Sequence, residues 1–260
     1  VLMALDHVRD FFTSVRFDPL DLTQTNATLF MTRWITHFCA PVFILLAGVS
    51  AQLVSRRCTP AQLSRFLLTR GLWLIVLEFT VVNFAFSFNL DYPFGVLMQV
   101  IWAIGASMIV LAGLSRLPVW AVGTFGVVMI AGHNLLDGIE PKIFGELAPL
   151  WNVLHVQGVV PFGYLHYPLI PWVGVMAAGF ALGKVYELPG AFRRRTLVFI
   201  GCLATGIFVL LRLANGYGDP SPWTVQDSLG FTLLSFINVE KYPPSLAYVL
   251  MTIGPALLAL

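Results

Sequence analysis

Long apolar runs alternate with short polar breaks along this chain. The runs span Thr36–Val54, Gly71–Phe88, Gly95–Leu114, Pro118–Ile130, Leu169–Val185, Leu197–Leu213 and Leu246–Leu260, and a shorter one opens the chain at Val1–Phe12. A helix needs about 20 mostly apolar residues to cross a bilayer. Most runs approach that length, and the shortest can borrow flanking residues. The pattern predicts an all-α fold, a polytopic transmembrane helix bundle with about eight helices. The chain starts at Val1 and ends inside an apolar run at Leu260, so the expectation is a fragment with its first and last helices truncated. Residues 1–260 are expected to form one transmembrane domain.

Composition sharpens this. Apolar residues make up 58% and charged residues 11%, against about 25% charged in an ordinary soluble domain. The lipid bilayer is the expected partner, and nucleic acid is not. The placement of charge then predicts orientation. Arg56, Arg57, Arg65, Arg70, Arg116, Lys184, Arg193, Arg194 and Arg195 fall in the breaks on one side of the predicted membrane, with Glu187 the one acid among them. Glu78 lies inside a run, and the remaining acids fall on the other side, as do all five histidines. Excess Lys and Arg mark the cytoplasmic face. The expectation is a multi-pass protein of a bacterial inner membrane whose His-bearing segments are extracytoplasmic. Those segments, roughly 13–35, 131–168 and 214–245, are long and rich in Trp, Tyr, Pro and His, too aromatic for disorder.

Cysteine and metal chemistry contribute little. Cys39, Cys58 and Cys202 are poorly placed for a bridge on the outer face, and there is no CxxC, HExxH or phosphate-binding Gly-rich loop. No metal is expected.

The polar residues near the predicted helix ends are the candidates for chemistry. His7 lies in Asp6-His7-Val8-Arg9-Asp10. His7 and Asp10 are three apart and share a helix face, and a carboxylate beside an imidazole raises its basicity. A helix-end ion cluster is the plainer account of the same pattern. His37 opens the next helix, four residues before Pro41, whose missing N–H frees a backbone carbonyl. Glu78 must be shielded, because a carboxylate facing lipid is costly; Arg212 is a candidate partner. Gln99 is expected one turn inside the fourth helix, as substrate contact or interhelical glue. His133, His155 and His166 are expected to face substrate or solvent. Lys241-Tyr242-Pro243-Pro244-Ser245 is expected to set the start of the last helix.

Several short segments occur in one order: Leu2-Met3-Ala4-Leu5-Asp6-His7, Pro41-Val42-Phe43-Ile44-Leu45-Leu46-Ala47-Gly48, Gly95-Val96-Leu97-Met98-Gln99, Tyr167-Pro168-Leu169-Ile170-Pro171-Trp172 and Lys241-Tyr242-Pro243-Pro244-Ser245-Leu246. In this order the chain resembles the bacterial relatives of heparan-alpha-glucosaminide N-acetyltransferase, a group of membrane acyltransferases. The resemblance implies an enzyme that moves an acetyl or short acyl group from acetyl-CoA, or another acyl-CoA, to an extracytoplasmic sugar or glycan. It implies a polar cavity among the helices of the first half of the chain. In the eukaryotic enzyme a His in the loop after the first helix is tied to acetyl transfer. Residues 11–35 here contain no His; Asp18 and Asp21 occupy that loop.

Together these give an expected site with His7, Asp10 and His37 catalytic, His7 as general base held by Asp10 or Asp6, and Asp6, Asp18, Gln99 and His166 binding substrate. A homodimer is one expected assembly. The alternative is a transporter or carrier without covalent chemistry, in which Glu78, Gln99 and Arg212 line a substrate path.

Overall fold

The computed structural model describes residues 2–89 and 95–260, with the backbone alone at Asp10. Helix α1 (Leu2–Phe12) is followed by α2 (Ala27–Ser55), α3 (Pro60–Ser87), α4 (Val100–Leu114) and α5 (Val119–Leu136). Next come α6 (Ala148–Leu154), α7 (Leu169–Glu187), α8 (Gly190–Ala214), α9 (Leu229–Ile237) and α10 (Leu246–Ala259). Strands β1 (Val96–Met98), β2 (Gly158–Val160) and β3 (Gly163–Leu165) form a sheet in the order β1-β3-β2. The fold is all-α, a membrane-type bundle with this small sheet at one end. Among the described residues, α2, α3, α5, α7 and α8 are long and apolar enough to cross a membrane, while α4 and α10 are apolar but shorter. Large apolar side chains on their outer faces, such as Trp73, Val127, Phe199 and Leu210, are exposed.

Caps place the helix starts earlier than hydropathy alone does. The Asn26 side chain accepts Leu29 N–H, so α2 begins nine residues before the apolar run at Thr36. Thr59 and Gln62 form a reciprocal capping box with Pro60 in the first turn. Helix α3 therefore starts at Pro60, and Arg65 and Arg70 sit on its first turns rather than in a loop. The run at Gly95–Leu114 is not helical throughout: its start is β1, and Gln99 is the N-cap of α4. Two segments expected to be loops are also partly folded, as α6, β2 and β3, and as α9.

Helix α7 is the hub. Its residues from Pro171 to Phe180 are buried almost without interruption, and Trp172 is fully enclosed. Membrane helices gain little by burying apolar side chains away from apolar lipid, so close backbone approach at small residues holds them together. Here the approach is extreme. A Cβ at Gly48 of α2 would lie 2.1 Å from Met176 O, and one at Gly179 would lie 2.2 Å from Leu45 O. Gly71 of α3 and Gly105 of α4 meet the same way, each against the other's carbonyl.

Helix α2 changes to a tight 3-10 turn at Ile35–Phe38 before continuing from Cys39. Pro41 has no N–H to give His37 O. The Tyr248 hydroxyl of α10 donates to that carbonyl instead, at 2.8 Å. This bond ties the last helix to the second at the sheet end of the bundle.

Replacing Gly179 by Leu is expected to destabilise the bundle by at least the ~1–3 kcal/mol of an overpacked core, because a backbone carbonyl is the obstacle. Thermal unfolding in detergent measures it. A variant as stable as the parent would mean that α2 and α7 are not in backbone contact.

Candidate functional site

The site is framed by polar side chains that complete the backbone of neighbouring elements. Helix α3 widens into a π-turn at Glu78–Val82, a feature found often at functional sites. Asn83 follows it. Its amide donates to Glu78 O at 2.6 Å and Leu97 O at 3.0 Å, and accepts Leu97 N–H at 2.7 Å. One side chain thus pairs β1 as a strand would. The Glu78 carboxylate, 0% exposed, accepts Gln99 N–H at 2.7 Å where α4 begins. A helix N-terminus favours negative charge there. Glu78 is shielded as expected, but Arg212 is not its partner. Arg212 binds the carbonyls of Ser221, Ser235, Phe236 and Asn238 and lies 3.7 Å from Asp219.

The sheet brings the second half of the chain to the first. β1 runs parallel to β3, with Val96 opposite Gly163. Only glycine fits there, since a Cβ at Gly163 would lie 1.9 Å from Val96 O. His166 N–H donates to Met98 O at 3.0 Å and extends the ladder, bringing His166 beside Gln99.

An inner cavity of about 300 Å³ opens where these elements meet. Met3, Asp6 and His7 line it from one face of α1, and Arg33, Thr36, Cys39 and Ala40 from α2. Phe86, Gln99, Gln157, His166, Tyr167, Lys241 and Tyr242 complete it. Four expected site residues, Asp6, His7, Gln99 and His166, therefore share one cavity. Among the described residues His7 Nδ1 is buried with no hydrogen-bond partner, and its ring meets Phe86 edge-on at 5.4 Å. Gln157 Nε2 lies 3.0 Å from His166 Nδ1, and the rings of Tyr164 and Tyr242 flank His166 at 4.9 and 6.0 Å. Burial, with the Lys241 charge second, holds the His166 ring below the ordinary imidazole range, so it is neutral near pH 7.

Other expected residues are placed differently. Asp6 does not hold His7. Its carboxylate accepts hydrogen bonds from Arg9 at 2.8 Å, Arg33 at 2.9 Å and Thr36 at 3.1 Å. It thereby fixes α1 against α2. The Asp10 side chain lies outside the described residues. His37 is not across the cavity from His7. It is 0% exposed behind the cavity wall, both ring nitrogens without partners among the described residues, packed on Tyr248 at 5.3 Å. Asp18 lines a separate outer cavity of about 260 Å³ with Asp21, Arg33, Glu240, Lys241 and Tyr242. Arg33, Lys241 and Tyr242 border both cavities and form the partition between them.

His133 and His155 face neither substrate space nor solvent. His133 is buried with Nδ1 2.9 Å from Ile130 O and Nε2 2.8 Å from Pro244 O. His155 donates from Nε2 to Asp137 at 3.0 Å. His133 fastens the end of α5 to the segment before α10, and His155 ties the end of α6 to the residue after α5. All five histidines thus gather around residues 241–248: His7 and His166 share the cavity with Lys241, His37 packs on Tyr248, His133 reaches Pro244, and His155 lies 6.1 Å from His133.

Sequence reasoning missed Arg33, Gln157, Lys241 and Tyr242 as cavity residues. Ser245 does cap α10, accepting Tyr248 N–H, so the expected helix start holds. The missed signal was Lys241 itself, a lone lysine before an apolar helix on the acid-rich side. Among the described residues no three or more His, Cys, Asp or Glu side chains gather as metal ligands.

A family model described as heparan-alpha-glucosaminide N-acetyltransferase, catalytic, matches residues 1–209. No curated protein and no solved structure matches the chain. The matched residues supply the walls from α1, α2, α3, the start of α4 and the residues after β3; Lys241 and Tyr242 lie beyond them.

The His166 environment predicts a pH dependence. The fold resists protonating this ring, so the unfolded chain takes up the proton first. The ring's contribution to stability is full above the ordinary imidazole value of 6.5 and falls as pH drops below it. Unfolding temperatures measured from pH 7.5 to 5 should fall less steeply for His166→Asn than for the parent. Equal slopes would place His166 in open solvent.

Proposed function

The chain belongs to the heparan-alpha-glucosaminide N-acetyltransferase catalytic family, and from that premise we propose that it is a multi-pass membrane acyltransferase working as one domain. In this reading it moves an acetyl or short acyl group from acyl-CoA to a sugar or glycan hydroxyl or amine outside the cytoplasm. The observation that carries the reading is the inner cavity, where His7, Gln99 and His166 converge from α1, the start of α4 and the end of the sheet.

His7 is the proton acceptor. Its buried, unpartnered Nδ1 is the kind of group a bound acceptor would satisfy. The acceptor oxygen or nitrogen attacks the thioester carbonyl carbon and gives its proton to the imidazole. The carbonyl oxygen takes the displaced electron pair, then reforms the double bond as the thiolate leaves. The imidazolium returns the proton to that thiolate. Gln99 and His166 orient the reactants by hydrogen bonding. The size of the cavity suits the thioester end of the donor and part of a sugar; the nucleotide end of coenzyme A must extend beyond it. A bacterial inner membrane suits the charge pattern, with Arg57 and Arg194 cytoplasmic and the histidine cluster outside.

His7→Ala should lower acyl transfer from labelled acetyl-CoA by about 10²–10⁴-fold, the usual contribution of a general base, with stability nearly unchanged. A His7 variant with normal turnover places the base elsewhere. If purified protein transfers nothing but carries a solute across proteoliposomes, the transporter class replaces this reading.

Reporter fusions after Arg57 and after Arg194 should read cytoplasmic, and fusions near Glu146 and Asp227 should read external. A cytoplasmic reading at Glu146 would reverse the orientation and the accessible side of the cavity.

A further inference from the structure

Lys241 is the unexplained charge at the site. It is 8% exposed, and among the described residues its ammonium has neither a hydrogen bond nor a carboxylate within the 4.0 Å of an ion pair. The ring of Tyr242 lies 5.0 Å from the nitrogen. An ammonium carries three donors, and here they open onto the cavity space that the side chain borders. A cation–π contact uses none of those three donors. The other cation of the partition is different, because Arg33 is already bound to Asp6 at 2.9 Å.

We propose that Lys241 is a binding site for an anionic oxygen group, a carboxylate, phosphate or sulfate, on the ligand that fills the inner cavity. The two sides of the partition decide the direction. The outer cavity presents Asp18 and Asp21, and hydrogen bonds from Thr23, first among their causes, hold the Asp21 carboxyl below its ordinary value. An anion entering there meets like charge. In the inner cavity the one carboxylate of known placement, Asp6, is covered by Arg9, Arg33 and Thr36. An anion there meets an open ammonium, with the neutral imidazole of His166 alongside. The site therefore selects acidic ligands over neutral ones of the same shape. This goes beyond the acyl-transfer reading and stands or falls independently of it, since it concerns binding alone.

The test is equilibrium binding to the purified full chain in nanodiscs. Inorganic sulfate and acetate are titrated at constant ionic strength against chloride, and thermal unfolding reports occupancy. The parent should show saturable stabilisation. Lys241→Met should weaken it roughly 10–100-fold, the factor a charge-assisted hydrogen bond carries. Lys241→Arg should retain it, and Lys142→Met, at an exposed lysine, should not change it. Should Lys241→Met fail to fold, Lys241→Gln against Lys241→Arg makes the same comparison. Competition by glucuronate assigns the anion to an acidic acceptor, and competition by adenosine 3′,5′-bisphosphate assigns it to a nucleotide donor; either supports the site. No saturable effect in the parent, or an effect undiminished without Lys241, overturns it.

Discussion

Every backbone N–H and C=O that a helix leaves open inside an apolar medium must find a partner within the protein. Much of the sheet end of this bundle follows from that requirement. Pro41 leaves His37 O open, and Tyr248 closes it from α10. Helix α4 begins with an open N–H at Gln99, and Glu78 accepts it. β1 has a free edge at Leu97, and Asn83 pairs both its donor and its acceptor. Arg212 gathers the carbonyls around α9, and the His133 ring lies between those of Ile130 and Pro244, with one N–H to give. Each of these polar side chains joins separate elements, so the rim is stitched by the groups that the apolar medium makes costly to leave alone.

That requirement also separates structure from chemistry. Asn83, His133 and Arg212 are occupied by backbone, while one Glu78 oxygen is taken by the Gln99 N–H and His155 Nε2 by Asp137. Among the described residues His7 Nδ1 has no partner, and His7 lies on the inner cavity. The Lys241 ammonium has only an aromatic face. Gln99, its backbone N–H held by Glu78, borders the same space. The candidate site is thus defined by what the scaffold leaves unused, with two cavities divided by Arg33, Lys241 and Tyr242.

Much of the architecture was legible in the sequence. The apolar runs located the helices, and the clustering of five histidines at one end of the bundle followed from their order. Four of the expected site residues fall in one cavity. What was not legible depended on distant pairing. The Gly95–Gln99 segment reads as the start of a helix because its residues are apolar, yet it pairs with residues 163–165 as a strand. His37 carries the marks of a cavity residue, but the Tyr248 ring covers it. Asp6 was expected to support His7; Arg33, 27 residues on, takes its carboxylate. Lys241 was read as part of a helix start because local caps are visible in sequence and the wall of a cavity is not.

The most direct test of the central claim is a structure of the protein with a non-hydrolysable acetyl-CoA analogue bound in nanodiscs. Density for the acyl end is expected in the inner cavity, between His7, Gln99 and His166, with the nucleotide extending out of it. Acyl density in the apolar groove lined by Val127, Ala178 and Ile253, or none within reach of His7, would contradict it.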